Sequence, residues 1–74
     1  MYFLINILAP EGQSIYRYDN ELDATSAYHS VLASNYVAFK EGTLSGFAVY
    51  MCDAHLNIIN MEERTRAYSW IFKV

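Results

Sequence analysis

The chain contains few of the residues that small domains use as covalent or metal cross-links. Its 74 residues include one cysteine and two histidines. The single cysteine, Cys52, excludes an internal disulfide, and no Cys-x-x-Cys or His-x-x-x-His spacing points to a structural zinc site. Because a chain of this length buries only about 60% of the surface that its unfolded form exposes, oligomerisation is the remaining source of added stability.

Positive charge is also scarce. Five basic residues against eight acidic ones give a net charge of −3, and the basic residues form no stripe. Nonspecific nucleic-acid binding needs such a stripe, so this function is disfavoured. The apolar N-terminal run, MYFLINILAP, is too short for a membrane helix and lacks the basic segment and cleavage site of a signal peptide. With the lone cysteine, these absences predict one cytoplasmic domain over residues 1–74, with no membrane contact.

Short apolar runs bounded by turn residues predict four strands. The first two are separated by the turn segment APEG, and the last two by the turn Asp53–His55. The predicted strands are Tyr2–Leu8, Ser14–Tyr18, Gly46–Cys52 and Leu56–Met61. The mixed charges of EERTR, residues 62–66, predict a break after the last of these strands.

The segment between the second and third strands has the periodicity of an amphipathic helix. Asp19 or Asn20 is a suitable N-cap, and acidic residues follow in the first turn. The predicted helix starts near Asn20 and ends between Ser34 and Gly42. One face collects the inward-facing residues Ala24, Ala27, Tyr28, Val31, Leu32 and Asn35.

This order of elements predicts an α+β fold, an antiparallel sheet of four or five strands with one helix packed on one face, in the order β-β-α-β-β plus a C-terminal extension. In that extension Tyr68, Trp70 and Phe72 alternate with other residues at strand spacing. Residues 67–74 are therefore either a fifth strand or an arm that reaches a second chain.

Apolar residues occupy both sides of the predicted sheet. In the first strand Phe3, Ile5 and Ile7 share one side, which we assign to the core, yet the opposite side holds Leu4 and Leu8 as well. Since one helix covers one face, the other face needs the C-terminal segment or a second copy. We expect a homo-oligomer, most simply a dimer.

Two groups of residues resemble reactive sites, and both have a structural explanation. In AYHSVLAS, Tyr28 points toward the core and His29 away from it, without a local partner. Cys52 ends an apolar strand, and His55 lies across a turn, where the two side chains diverge. A zinc site of Cys52, His55 and His29 would lack a fourth ligand. The sequence therefore predicts no catalytic residue, no metal site and no cofactor.

Tyrosine, tryptophan and arginine are the residues most often found at binding hot spots. The chain contains seven tyrosines and one tryptophan, more than a small core can hold. The predicted partner- or ligand-binding residues are Tyr16, Tyr18, Tyr50, Arg64, Arg66, Tyr68 and Trp70.

The helix segment AYHSVLAS followed by AVYMCDAHLNII resembles a group of small proteins encoded by phages and prophages of Gram-positive bacteria. Residues Ala27–Ser30, Leu32–Ser34 and the turn Asp53–His55 carry the similarity, and residues 68–74 lie outside it. The resemblance implies no activity. It implies a protein made by a mobile element in the cytoplasm of a bacterial host.

The leading hypothesis is a non-enzymatic binding protein that acts stoichiometrically, for example as an inhibitor of a host defence or regulatory protein. The alternative is a protein that sequesters a nucleotide-like ligand in pockets at subunit interfaces, where arginine and stacked rings would hold a phosphate and a base. An enzyme that uses Cys52 or His29 is the third hypothesis.

Overall fold

The computed structural model describes residues 1–10 and 12–65. They form two antiparallel hairpins joined by one helix. The elements in chain order are β1 (Tyr2–Ala9), β2 (Gly12–Tyr18), α1 (Glu21–Glu41), β3 (Gly46–Cys52) and β4 (Ile58–Thr65). The predicted α+β class and element order are confirmed. Arg66, Tyr68, Trp70 and the question of a fifth strand or an arm lie outside the described residues.

The sheet has the spatial order β2-β1-β3-β4, and every neighbouring pair is antiparallel. β1 and β3 are central, and α1 packs mainly against these two strands. The helix packs on one face of the sheet, which we call the helix face. No helix or strand of the described residues packs on the other face, which we call the open face. This arrangement gives a two-layer domain with β2 and β4 as edge strands within the described part of the chain.

Local signals define both ends of α1. The Asn20 Oδ1 accepts a hydrogen bond from the Asp23 backbone N–H at 2.8 Å, so Asn20 is the N-cap. At the other end Gly42 adopts φ 90°, and its N–H donates to the Phe39 carbonyl while the Thr43 N–H donates to the Ala38 carbonyl. This pair of bonds is a Schellman motif. The helix therefore ends at Glu41, at the far end of the predicted range.

The core lies between α1 and the two central strands. Ala24, Tyr28 and Asn35 are the buried helix residues, and Val31 and Leu32 are partly buried around them. The predicted inward face of the helix is confirmed. From the sheet, the fully buried side chains are Leu4, Phe47, Val49 and Met51. Tyr36 and Phe39 pack edge-to-face on Phe47, with ring centroids 5.1 and 5.9 Å away.

The predicted core side of β1 is wrong. Leu4 and Asn6 are the buried residues of β1 and lie under the helix, whereas Phe3, Ile5 and Ile7 are on the open face and only partly buried. The reason is Asn6, whose Oδ1 accepts a hydrogen bond from Asn35 Nδ2 at 2.8 Å. A buried amide with a partner is tolerated in a core, so the polar residue did not mark the exposed side.

The predicted charged break after the last strand is also wrong. Asp53 Oδ1 accepts hydrogen bonds from the His55 and Asn57 backbone N–H groups, and Leu56 adopts φ 66°. These hydrogen bonds lower the pKa of the Asp53 carboxyl, and the bond from the Asn57 backbone N–H has the largest effect. The turn therefore continues to Asn57, and β4 begins at Ile58 and runs through the charged residues to Thr65. Charge on an edge strand is a common protection against unwanted pairing.

Candidate binding surfaces

The open face is built from three rows of side chains that run across the strands. Residues paired directly across antiparallel strands share a face, so the register defines each row. The middle row runs Ile15, Ile5, Tyr50, Met61; one flanking row runs Arg17, Phe3, Cys52; and the other runs Gln13, Ile7, Ala48, Glu63. Ile59, two residues before Met61 on the same strand, extends the apolar area at the β4 edge.

The centre of this face is shielded, and its edges are not. Ala48 and Cys52, both on the central strand β3, are buried. Ile15 is 63% exposed and Met61 44% exposed, although both are large apolar side chains in regular strands. An antiparallel sheet with one solvated face usually alternates between apolar and polar residues. A middle row of four apolar residues departs from that pattern and is typical of an interaction surface.

Two opposite charges border the open face. Arg17 is on β2 opposite Phe3, and Glu63 is on β4 opposite Ala48. Burial is the main cause of the raised pKa of the Tyr50 hydroxyl, and the nearby Glu63 carboxylate raises this pKa further. Neither Arg17 nor Glu63 forms a side-chain ion pair with any residue in the described ranges.

A second candidate surface lies on the helix side of β4. The Tyr36 hydroxyl donates a hydrogen bond to Glu62 Oε2, and this bond is the main cause of the raised pKa of Tyr36. Glu62 also pairs with Arg64 at 2.9 Å, and the Arg64 guanidinium lies over the Tyr36 ring, 5.7 Å from its centroid. These contacts hold Arg64 beside the last two turns of α1.

Between α1 and β4 lies an open groove of about 550 Å³. Its lining combines rings, an aliphatic side chain and two cations: Tyr36, Val37, Phe39, Lys40 and Arg64. Within residues 1–10 and 12–65, Lys40 forms no ion pair. The groove therefore combines an apolar wall with a positive charge that no described carboxylate neutralises.

The four predicted binding residues that lie in the described ranges are on different surfaces. Tyr16 and Tyr18 are on the helix face at the β2 edge, Arg64 is on the helix face at the β4 edge, and Tyr50 is on the open face. The sequence reasoning missed Ile5, Ile15 and Met61, which form the middle of the open face with Tyr50. A signal was present, because both sides of β1 are apolar. It did not say which side the helix would take.

The residues examined for catalysis have separate surroundings. His29 is exposed, and its ring packs edge-to-face against Tyr28 at 5.4 Å. Burial, and then the nearby Asp53 carboxylate, raise the pKa of the Cys52 thiol, which is the opposite of the shift that activates a cysteine nucleophile. His55 uses its backbone N–H to donate to Asp53. Among the described residues, no three His, Cys, Asp or Glu side chains are grouped to hold a metal ion.

The chain was compared with family models, curated proteins and solved structures, and it matches none of them. In the part of the chain that the structure describes, no helix is both long and apolar enough to cross a membrane.

Proposed function

We propose that this chain is a non-enzymatic binding protein that acts stoichiometrically through the open face of its sheet. The observation that carries the proposal is the middle row Ile15, Ile5, Tyr50, Met61, which leaves two large apolar side chains exposed at the sheet edges. Burying such a surface yields about 25 cal/mol per Å². That is the usual driving force for protein–protein association.

The shape of the surface supports a protein partner rather than a small ligand. The open face is a broad strand surface with charges at its border and apolar side chains inside, as in the core and rim of protein interfaces. Its rigid β-strand backbone means that little ordering is required on binding. The setting of a mobile element in a bacterial host, and the role of inhibitor of a host protein, rest on the resemblance carried by Ala27–Ser30, Leu32–Ser34 and the turn Asp53–His55.

The test is affinity capture with a tagged full-length chain, in a lysate of a Gram-positive bacterium that also contains an untagged copy. We expect the wild type to retain one protein in equimolar amount, which is either a host protein or the untagged copy of this chain. Ile15→Lys and Met61→Lys should lose it, because each places a charge in the apolar row. Leu22→Lys is the matched control, since Leu22 is 79% exposed on the helix, away from the open face. Retention of no chain in equimolar amount would contradict the proposal.

The groove between α1 and β4 favours a second candidate function, the binding of a small nucleotide-like ligand. Lys40 and Arg64 would attract a phosphate, and the rings of Tyr36 and Phe39 offer an apolar wall for a base. Unlike the alternative drawn from the sequence, this site lies within one chain.

Thermal unfolding in the presence of each nucleoside monophosphate tests this second function. A ligand at a hundred times its Kd adds about 2.7 kcal/mol to the stability, which is several degrees in Tm for a domain of this size. Lys40→Gln should remove the shift, whereas Leu22→Lys should keep it. An unchanged Tm with all nucleotides at millimolar concentration would exclude the groove as a nucleotide site.

A further inference from the structure

We infer that the occupant of the open face is a second copy of this chain, related to the first by a two-fold axis along a diagonal of the sheet. The inference rests on the proposed function, because it names the partner at the same surface. It is carried by the positions of the two border charges, Arg17 and Glu63.

These two residues lie at opposite corners of the open face. Arg17 is on edge strand β2 in the row of Phe3, and Glu63 is on edge strand β4 in the row of Ile7. Four residues along a strand span about 13 Å, and three strand spacings span about 14 Å. The charges therefore occupy the ends of one diagonal of a nearly square patch, about 19 Å apart, which is too far for an ion pair within one chain.

A two-fold axis along the other diagonal exchanges these corners. It places Arg17 of each copy over the partner's Glu63, so one symmetry operation creates two identical ion pairs. The axis makes about 45° with the strands, and the strands of the two sheets then cross at about 90°, which is the orthogonal class of sheet packing. The axis passes near Ile5 and Tyr50, so the apolar middle rows meet at the centre.

The simpler axes do not match the charges. A two-fold axis parallel to the strands would place Arg17 over the apolar end of β4 near Ile59, and one perpendicular to the strands would place it over Gln13. Either arrangement would leave Arg17 and Glu63 without a counter-charge at the border of an apolar contact. Electrostatic complementarity sets the orientation of partners in this way.

The size of the face indicates the strength of the dimer. Four strands of seven residues cover about 20 Å by about 23 Å, or roughly 450 Å² in projection on each copy. Twice this area, roughly 900 Å², is below the range of stable interfaces and within that of weak, transient ones. We therefore expect a reversible dimer that dissociates on dilution through the micromolar range.

Sedimentation velocity of the purified full-length chain over a dilution series tests the inference. Arg17→Glu and Glu63→Arg should each weaken the dimer by about tenfold or more, because each replaces two attractive contacts by two repulsive ones. An equimolar mixture of the two variants should recover an affinity within about threefold of wild type, since both contacts in the mixed dimer are attractive again. Glu41→Arg is the matched control for Glu63→Arg, because it makes the same charge change at the end of α1, away from the open face.

Each other outcome overturns the inference in a way that differs from failure of the proposed function. If the chain is monomeric at every concentration, the inferred dimer is rejected. The occupant of the open face is then a different protein or the chain's own residues 66–74. If affinity capture then retains another protein in equimolar amount, the proposed function stands. A dimer that Ile15→Lys disrupts, but that the two charge variants and their mixture leave unchanged, supports the open face and rejects the diagonal arrangement. Circular dichroism checks that every variant is folded.

Discussion

Both faces of the sheet carry apolar side chains, but their surroundings differ. On the helix face, Leu4, Phe47 and Met51 are fully buried beneath α1. On the open face, the equivalent positions one residue along each strand hold Ile5, Ala48 and Tyr50, with Ile15 and Met61 exposed at the edges. The comparison shows that hydrophobicity does not identify the core of this domain. The position of the helix does, and a buried amide pair joins the helix to β1.

The largest expected difference between the faces is in how much the free energy of unfolding falls when a large apolar side chain is removed. Phe47→Ala should destabilise the domain by about 3–5 kcal/mol, because it leaves a cavity beneath Tyr36 and Phe39. Ile15→Ala on the open face should cost the isolated chain about 1 kcal/mol or less, since Ile15 is mostly exposed. Urea unfolding of dilute protein measures both. Similar costs for the two variants would mean that the open face is also covered within one chain.

The next largest effect on stability is expected at the buried hydrogen bond between Asn35 and Asn6. Asn35→Leu should cost about 1–3 kcal/mol, because it leaves the buried Asn6 carbonyl oxygen without its donor. Asn6→Leu combined with Asn35→Leu should recover much of this loss, since no unpaired polar group then remains in the core. A double-mutant cycle by urea unfolding measures the coupling. Additive costs would show that the hydrogen bond contributes nothing specific to helix placement.

A smaller effect concerns the end of the helix, away from both faces. Asn20→Ala should destabilise the domain by about 1 kcal/mol, because the Asp23 backbone N–H loses its acceptor. Asn20→Asp should retain most of the stability, since aspartate caps as well as asparagine. Thermal unfolding followed by circular dichroism compares the three proteins. An alanine variant as stable as the wild type would show that packing on the sheet alone sets the start of α1.

The smallest expected effect lies at the shielded centre of the open face. The pKa of Cys52 is raised by burial and by Asp53, so on raising the pH the unfolded chain loses the thiol proton before the folded chain does. The contribution of Cys52 to stability is therefore constant below the ordinary thiol pKa of 9.0 and falls as the pH rises above it. Cys52→Ala should lose less stability than the wild type over this alkaline range. Iodoacetamide should also modify the folded wild type more slowly than the unfolded chain.

Local patterns in the sequence account for most of the fold. The periodicity of residues 21–41, the cap at Asn20 and the glycine at 42 predict α1 because they act within a few residues. The sheet order and the buried side of β1 depend on contacts between distant segments. Asn6 and Asn35 are each ordinary polar residues in the sequence, and only their hydrogen bond in the folded chain explains why both are buried.

The candidate surfaces were less predictable for the same reason. Tyrosine and arginine content indicated a binding protein, but the register of four strands determines which apolar residues share a row. Ile15 and Met61 are far apart in sequence and are linked only through Ile5 and Tyr50. The charged residues of β4 are on an edge strand. Glu62 and Arg64 are on the helix face, and Glu63, between them, is on the open face. A pattern read along one strand contains none of this.

The pairing of β1 with β3 has a consequence for how the domain assembles. Every other strand pair is a hairpin, and α1 is closed by hydrogen bonds between residues a few positions apart. The β1–β3 ladder alone joins segments from opposite sides of the helix, such as Phe3 and Cys52. Closing that long loop is the slow, entropically costly step in folding. We therefore expect two hairpins and a helix to form early, and the central ladder to determine the folding rate.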